Sequence, residues 1–261
     1  MLYPQRLPEF HRLLPSDRLS HAVTWFWIPE WDLPSGVESR QESLPFPACN
    51  LVVEPDGIIL VGPATRRSVR VLTGSGWAIG ALLRPAATAA LTLRPAELRD
   101  ASQVLDEPAL HKDVVAAMQD HESDPAQRRA QAADRLATWI EERVPVPDPG
   151  SNAALANELS DALADPAITR IAELGPRLHT SIRTLQRVAD RYFGLSPYTM
   201  IRRRRLQEAA ERLRSDPQAT VAQLASELGY ADHAHFTTDF TELLGMPPSR
   251  YRGDFRPGAT A

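Results

Sequence analysis

Short apolar runs alternate with turn-forming residues in the first third of the chain. The runs cover residues 22–28, 50–54, 58–61, 69–72 and 77–83. Within residues 52–59, a Pro-Asp-Gly sequence separates two β-branched segments, and these residue types favour a tight turn. The pattern predicts a β-hairpin at this point and a mainly β structure for the front part of the chain.

After Pro85 the apolar spacing becomes helical. Asp124 followed by Pro125 is typical of a helix start, with Asp as the N-cap and Pro at the first helical position. The predicted helix runs to Val144. One face of it carries the apolar residues Leu136, Trp139, Ile140 and Val144. This face could either cover the β structure or bind a partner or another copy of the chain.

A proline-rich stretch, residues 145–150, interrupts all regular structure. The length of 261 residues suits two domains. We therefore expect an α+β protein with a β-rich, barrel-like domain and its C-terminal helices at 1–145 and a linker at 146–152. An all-α domain is expected at 153–254.

Residues 168–193 have the spacing of a helix-turn-helix. Ser181 is expected to cap a second helix that buries Leu185 and Val188. Its outward residues would then be Arg183, Thr184, Gln186, Arg187 and Asp190. Arg and Gln in the first turns of such a helix can hydrogen-bond guanine and adenine in the major groove, so the pattern indicates DNA binding.

Residues 221–244 have the same spacing. Gly229 permits the turn, and Phe236 and Phe240 would anchor the following helix. The outward residues would be His233, Ala234, Thr237 and Thr238. The chain as a whole carries a net charge of −4, but residues 183–205 contain seven Arg and one Asp. This local excess of positive charge is what matters for affinity to phosphate.

These motifs resemble the DNA-binding domain of AraC/XylS-type transcriptional regulators. The resemblance covers residues 155–252 and rests on 183–187 (RTLQR), 193–197 (FGLSP), 205–209 (RLQEA), 228–230 (LGY), 235–236 (HF), 244–248 (LGMPP) and 251–252 (YR). It implies seven helices, with a long helix near 197–214 that holds two recognition helices in successive major grooves. It also implies that Arg183, Gln186, Arg187, His233, Ala234 and Thr237 contact bases, and that Arg204 or a neighbouring arginine contacts phosphate. Thr184 and Thr238, on the same outward faces, are further predicted DNA contacts.

Three features depart from this family pattern. Gly175-Pro176 falls inside the first scaffold helix, which is expected to kink or to restart at Pro176. Asp232, Asp239 and Glu242 make the second unit acidic, and His233 stands where Gln is frequent. We therefore expect the first unit to supply most of the base discrimination.

The front domain resembles, more weakly, a sensor-type domain found ahead of such units. The resemblance rests on residues 25–27 (WFW), 45–47 (PFP) and 80–85 (GALLRP). Aromatic residues in a small barrel fill the core more often than they line a cavity, and the stripe Trp25, Trp27 and Trp31 is expected to do the same. If a small molecule binds, the candidate residues are Trp25, Trp27, Trp77 and Arg84.

Two other classes of function stay open. Cys49 could make the protein a thiol-dependent, self-modifying sensor, although a lone Cys is usually a small buried hydrophobe. Alternatively, the front half could bind a protein partner without a small-molecule effector. The scattered His residues predict no metal site, and no cofactor or catalytic chemistry is expected.

The expected partners follow from this interpretation. They are double-stranded DNA at a promoter or operator, a small-molecule effector, a second copy of the chain, and RNA polymerase by indirect contact. The single Cys and the lack of an apolar run of about 20 residues predict a cytoplasmic, nucleoid-associated protein without a membrane span.

Overall fold

The β structure of the front part consists of antiparallel strands in two sheets. The computed structural model describes residues 2–3, 9–43, 46–92, 95–216 and 218–254. The strands are β1 (Leu2–Tyr3), β2 (Glu9–Leu13), β3 (Val23–Asp32), β4 (Glu38–Ser43), β5 (Asn50–Glu54), β6 (Gly57–Val61), β7 (Ser68–Thr73), β8 (Ser75–Trp77), β9 (Ile79–Leu83) and β10 (Ser102–Leu105). Pro45 of the 45–47 motif lies outside the described residues.

The larger sheet has the strand order β10-β6-β5-β9-β3-β2, with β8 paired to the end of β3, and the smaller sheet has the order β1-β4-β7. The hairpin predicted at residues 52–59 is confirmed. Val52 lies opposite Ile59, and Pro55 and Asp56 form the link between β5 and β6. The register follows from the short turn, which fixes which residues of the two strands face each other.

Helices make up most of the remaining chain. They are α1 (Pro85–Leu91), α2 (Pro108–Met118), α3 (Pro125–Arg143), α4 (Asn152–Ala164), α5 (Ile171–Arg177), α6 (Ile182–Phe193), α7 (Pro197–Ser215), α8 (Val221–Glu227), α9 (His233–Leu244) and α10 (Pro248–Asp254). Two short 3₁₀ helices lie at Asp17–Leu19 and Pro95–Leu98. A β-rich part followed by an all-α part was predicted, and the structure confirms it. None of the described helices is long and apolar enough to cross a membrane.

We refer to residues 9–143 as the β-rich half and to residues 152–254 as the helical half. Residues 144–151 between them form neither helix nor strand. Seven helices, α4–α10, are described in the helical half, which matches the number implied by the family resemblance. Helix α7 extends over Pro197–Ser215, one residue beyond its predicted end.

Helix α3 begins where the sequence predicts and ends at Arg143, one residue before the predicted end at Val144. The Asp124 carboxylate accepts a hydrogen bond from the backbone nitrogen of Ala126 at 2.8 Å, and Pro125 is the first helical residue. Leu136 and Ile140 are fully buried in the core formed by α2, α3 and one face of the larger sheet. Trp139 is buried in the same core. The apolar face of α3 thus covers the β-sheet, and this contact leaves it unavailable as a binding surface for another chain.

The helical half has two cores, and α7 contributes to both. Met200 and Ile201 pack with α4, α5 and α6, whereas Leu206 and Leu213 pack with α8 and α9. Of the two alternatives expected at Pro176, a kink or a restart, the restart is wrong, because α5 runs unbroken through this residue. The proline lies in the last turn of this short helix, where the Leu178 nitrogen still donates to the Leu174 carbonyl oxygen at 3.0 Å.

The burial of the α3 face leads to a stability prediction. Leu136→Ala is expected to lower the free energy of unfolding by about 2–5 kcal/mol, because it leaves a cavity in a closed core. Urea denaturation followed by circular dichroism would measure the loss. Glu141→Ala, on the exposed face of the same helix, is the control and should change stability by less than about 0.5 kcal/mol. Unchanged stability together with a changed sedimenting mass would instead identify an interface between copies.

Candidate nucleic-acid interface

Helix α6 presents the first set of predicted DNA contacts. Ser181 Oγ accepts a hydrogen bond from the Thr184 backbone nitrogen at 3.1 Å, which fixes the start of the helix. Leu185 is buried, while Arg183 and Arg187 are exposed on the opposite face. Thr184 is half-buried, and its hydroxyl lies 2.9 Å from that of Ser181, so it belongs to the cap.

Gln186, also predicted to contact bases, lies where α6 meets the β-rich half. It is exposed and lines a cleft together with Asp190, Arg99 and Asp100. Hydrogen bonds from Thr65 hold the pKa of Asp100 below its ordinary value against the opposing effect of burial. A carboxylate of the β-rich half is therefore held ionised beside a predicted base-contacting residue.

The 3₁₀ helix Pro95–Leu98 packs against the end of α6. Gly194 ends the helix with a φ of +62°, a conformation that glycine adopts without strain. A Cβ atom at this position would lie 2.7 Å from Cα of Ala96. This glycine is therefore needed for two reasons, the turn and the close approach of the two halves.

Helix α9 presents the second set. Asp232 caps it by accepting a hydrogen bond from the His235 backbone nitrogen at 2.7 Å. His233, Ala234 and Thr238 are exposed, and Thr237 is half-buried. The Thr238 hydroxyl donates to the Ala234 carbonyl oxygen at 3.0 Å, so its proton is already engaged within the helix.

The acidic residues of this second unit are structural. Asp239 is only 5% exposed, and its two oxygens accept hydrogen bonds from Nε and Nη2 of Arg202, each at 2.6 Å. Glu242 accepts from the same Nη2 at 2.8 Å. Burial lowers the pKa of Arg202, but the bonds to these two carboxylates outweigh it and raise that pKa overall. Arg202 therefore neutralises part of the negative charge of this unit, while Asp232 keeps its charge as the exposed N-cap of α9.

Arg204, the predicted phosphate contact, is held inside the helical half. Its Nη2 donates to the Ile168 carbonyl oxygen at 2.6 Å, and its Nη1 lies 3.6 Å from the Glu208 carboxylate. Burial lowers the pKa of this guanidinium. In this arrangement Arg204 fixes the chain segment that leads into α5 against α7.

The two neighbouring arginines are also engaged. Arg203 is 7% exposed, and its Nη1 donates to the Ala64 carbonyl oxygen of the β-rich half at 3.0 Å. Burial lowers the pKa of Arg203. The Arg205 guanidinium lies over the Tyr230 ring, 4.7 Å from its centroid, and burial together with the charge of Asp239 raises the pKa of Tyr230. The side chains of Arg203, Arg204 and Arg205 are thus used for contacts between elements of the chain.

The predicted ligand residues separate into two groups. Trp25 and Trp27 line a cavity of about 250 Å³ between the two sheets, together with Trp31. The expectation that this stripe fills the core is wrong, because β3 buries Phe26 on its other face and leaves the tryptophans on the cavity side. Trp77 packs partly against the core, outside the described lining of the cavity.

Arg84, the fourth candidate, links the two halves. Its Nη2 donates to the Asp161 carboxylate at 2.7 Å and to the Asn157 carbonyl oxygen at 3.2 Å, both on α4. The Asn157 side chain accepts from the Ala86 nitrogen at 3.1 Å and donates to the His21 carbonyl oxygen at 2.8 Å. Asn157 was not among the predicted functional residues; its position on the otherwise apolar, buried face of α4 was the available signal.

Cys49 does not have the environment of a reactive thiol. It is buried at the edge of the β-rich core, and this burial raises its pKa to about 11, against a smaller opposing effect of a hydrogen bond with Thr88. At neutral pH the nucleophilic thiolate is therefore scarce. Within the described ranges, no three His, Cys, Asp or Glu side chains lie close enough to hold a metal ion.

Comparison with known families assigns each half separately. Residues 174–254 match a family described as a helix-turn-helix domain. Residues 11–104 match a family described as a domain of unknown function, DUF6597. The first match runs from within α5 to the end of α10 and leaves out α4, and the second covers most of the strands of the β-rich half.

Known relatives align with the helical part. An uncharacterised HTH-type transcriptional regulator from Haemophilus influenzae is 34% identical over 101 residues, which are 39% of this chain and 33% of the relative. The HTH-type transcriptional activator RhaS from Pectobacterium carotovorum is 30% identical over 79 residues, 30% of this chain and 28% of RhaS. The chain thus spans about a third of the length of these relatives.

Among solved structures, an apo variant of ToxT from Vibrio cholerae resembles the chain over a greater length. The match covers 88% of this chain and 98% of ToxT, with 12% identity and a TM-score of 0.47.

The buried ion pair leads to a second stability prediction. Arg202→Met is expected to cost about 3 kcal/mol of unfolding free energy, because it leaves the Asp239 carboxylate buried without its main partner. The double variant Arg202→Met/Asp239→Leu should recover part of this loss, since no unpaired charge remains. Arg212→Met on the same helix breaks an exposed pair with Glu227 and should cost less than about 1 kcal/mol. Equal losses for the two single variants would contradict a structural role for the buried pair.

Proposed function

We propose that the protein is a sequence-specific DNA-binding transcription regulator of the AraC type, which the helix-turn-helix match of residues 174–254 and the similarity to RhaS support. The observation that carries this proposal is the pair of helix-turn-helix units, α5–α6 and α8–α9, joined by the single helix α7. Each unit has its own core and exposes polar residues on its second helix. We propose that α6 and α9 enter two successive major grooves.

The first unit supplies most of the base discrimination in this proposal. Arg183 and Arg187 are exposed on one face of α6, and arginine can form two hydrogen bonds with guanine O6 and N7. On α9, Ala234 has no polar group, and the proton of the Thr238 hydroxyl is bonded within the helix. His233 is the exposed residue of this set that can donate a hydrogen bond freely.

Arg204 orients α5 in this proposal and does not contact phosphate directly. Its guanidinium would have to leave the Ile168 carbonyl oxygen before it could reach DNA. The positive charge that DNA meets first would come from the exposed arginines of α6, Arg183, Arg187 and Arg191. This field falls off over about 8–10 Å at physiological salt, so its position matters more than the net charge of the chain.

The β-rich half would modulate DNA binding through its contacts with α6 and α7. Asp100 carries a negative charge at the edge of the cleft that Gln186 lines, where it would repel DNA phosphates. A rearrangement that moves this carboxylate away from α6 would favour DNA binding. An effector can cause such a shift only if it binds the two arrangements with different affinities. A homodimer and indirect contact with RNA polymerase remain predictions.

In vitro selection from random double-stranded DNA, with the full chain at about physiological salt, tests the proposed function. Two conserved blocks about one helical turn apart would support the use of both units. One block would retain a DNA-binding regulator but contradict base contact by α9. Failure to enrich any sequence, both alone and with the β-rich half removed, would contradict sequence-specific binding.

Single substitutions test the unequal roles of the two units. Arg187→Ala is expected to weaken binding to the selected sequence by about 5- to 150-fold, which corresponds to the loss of one two-bond contact with guanine. Thr237→Ala, on the half-buried side of α9, should weaken binding by less than about threefold. Arg135→Ala, an exposed arginine on α3, controls for the loss of one positive charge. Equal losses for Arg187→Ala and Thr237→Ala would contradict the dominance of α6.

A further inference from the structure

The space between the two sheets of the β-rich half is lined by aromatic rings. Trp25, Trp27 and Trp31 alternate along β3 and project to this side, and Phe46 lies against Trp25 with ring centroids 6.4 Å apart. The cavity is partly open to solvent and has a volume of about 250 Å³. Concave, mostly apolar sites of this kind are typical of small-molecule binding.

Two glycines make room for the tryptophan rings. Gly80 lies directly opposite Trp27 in the sheet, and a Cβ atom on Gly80 would come within 2.2 Å of the indole. Gly76 lies opposite Trp31, and its Cβ atom would come within 2.4 Å of that ring. Both rings therefore lie across the neighbouring strand, at positions that any larger residue would block.

A hydrogen bond fixes one of these rings further. Trp27 Nε1 donates to Asn50 Oδ1 on β5 at 2.9 Å. The indole is thereby held in one orientation while its face remains part of the cavity wall. A preformed wall of this kind lowers the entropic cost of binding a small molecule.

The charge around the cavity selects among ligands. The Arg12 guanidinium lies 5.0 Å from the centroid of the Trp25 ring, and no described carboxylate lies within ion-pair distance of it. The other lining arginine, Arg70, is held by the Glu54 carboxylate, with Nη2 2.9 Å from Oε2. None of the described lining residues is acidic. An aromatic cavity can attract cations, but a free guanidinium at its wall disfavours them and favours an anion.

We infer that this cavity binds a small aromatic carboxylate, with its ring among Trp25, Trp27 and Phe46 and its carboxylate on Arg12. Flat rings match the indole faces, and a planar carboxylate can accept two hydrogen bonds from one guanidinium. The inference deepens the modulation that the proposed function assigns to the β-rich half. Ligand binding can be measured without DNA. The ligand inference and the proposed function can therefore fail independently.

The test compares three probes of the same shape with the full chain. They are trans-cinnamate, cinnamyl alcohol and cinnamylamine, which share one body and carry a negative, a neutral and a positive group. Calorimetric titration is expected to give cinnamate an affinity about tenfold or more above that of the alcohol, with the amine weakest. Saturable quenching of tryptophan fluorescence should accompany binding. Equal affinities for the three probes, or no saturable binding of cinnamate, would overturn the inference.

Two arginine variants test whether Arg12 causes the preference for cinnamate over the alcohol. Arg12→Gln should remove the advantage of cinnamate over the alcohol and leave the alcohol's affinity within about twofold. Arg18→Gln, an exposed arginine of the same half outside the described lining, should leave both affinities unchanged. Because Arg12 is exposed, its replacement should not prevent folding; an unchanged thermal midpoint would verify this. Retained preference for cinnamate in Arg12→Gln would contradict the assigned role of Arg12.

A DNA titration with the selected sequence, with and without cinnamate, separates this inference from the proposed function. Cinnamate binding together with an altered affinity for DNA would support both. Sequence-specific DNA binding without cinnamate binding would reject only the ligand class. Cinnamate binding by a chain that selects no DNA would reject the proposed function and leave the cavity assignment in place.

Discussion

The arrangement of the molecule depends on how four consecutive arginines leave helix α7. Successive residues of an α-helix point about 100° apart, so the four side chains reach different neighbours. Arg202 binds Asp239 on α9, Arg203 binds the Ala64 carbonyl oxygen, Arg204 binds the Ile168 carbonyl oxygen, and Arg205 stacks on Tyr230. One helix thereby fixes the second unit, the β-rich half and the entry to the first unit at the same time. Movement of α7 would disturb all three.

This arrangement means that only some of the arginines in residues 183–205 present their charge to solvent. Burying a guanidinium is unfavourable unless oxygen atoms accept its hydrogen bonds. Arg203 and Arg204 each donate to a backbone carbonyl oxygen, although the buried Nε of Arg204 has no described partner. The positive excess that the sequence shows over residues 183–205 is therefore divided. The arginines of α7 make contacts within the protein, whereas those of α6 are exposed to solvent. Counting charges along a sequence cannot make this distinction, because it depends on partners that are distant in the chain.

Sequence reasoning succeeded where the signals were local. The start of α3 at Asp124-Pro125 and the hairpin at 52–59 each depend on residues within a few positions of each other. The extent of α7 was expected from the family resemblance and not from such local signals. Sequence reasoning failed where register or tertiary contacts decide. Trp27 and Gly80 are 53 positions apart in the sequence, and only the pairing of β3 with β9 shows that one makes room for the other. Likewise, nothing near Arg84 predicts that its partner is Asp161 on α4.

The same strand pairing suggests how the cavity and the recognition helix are connected. Leu82, near the end of β9, lines the cavity, and two residues later Arg84 is bound to Asp161 on α4. Helix α4 in turn shares a core with α6, where Leu159 packs in the same cluster as Leu185. A shift of β9 would therefore be carried to α6 by one ion pair and one packed core. Such a route conveys a signal only if both contacts differ between two states, because a ligand that leaves them unchanged cannot alter the affinity for DNA.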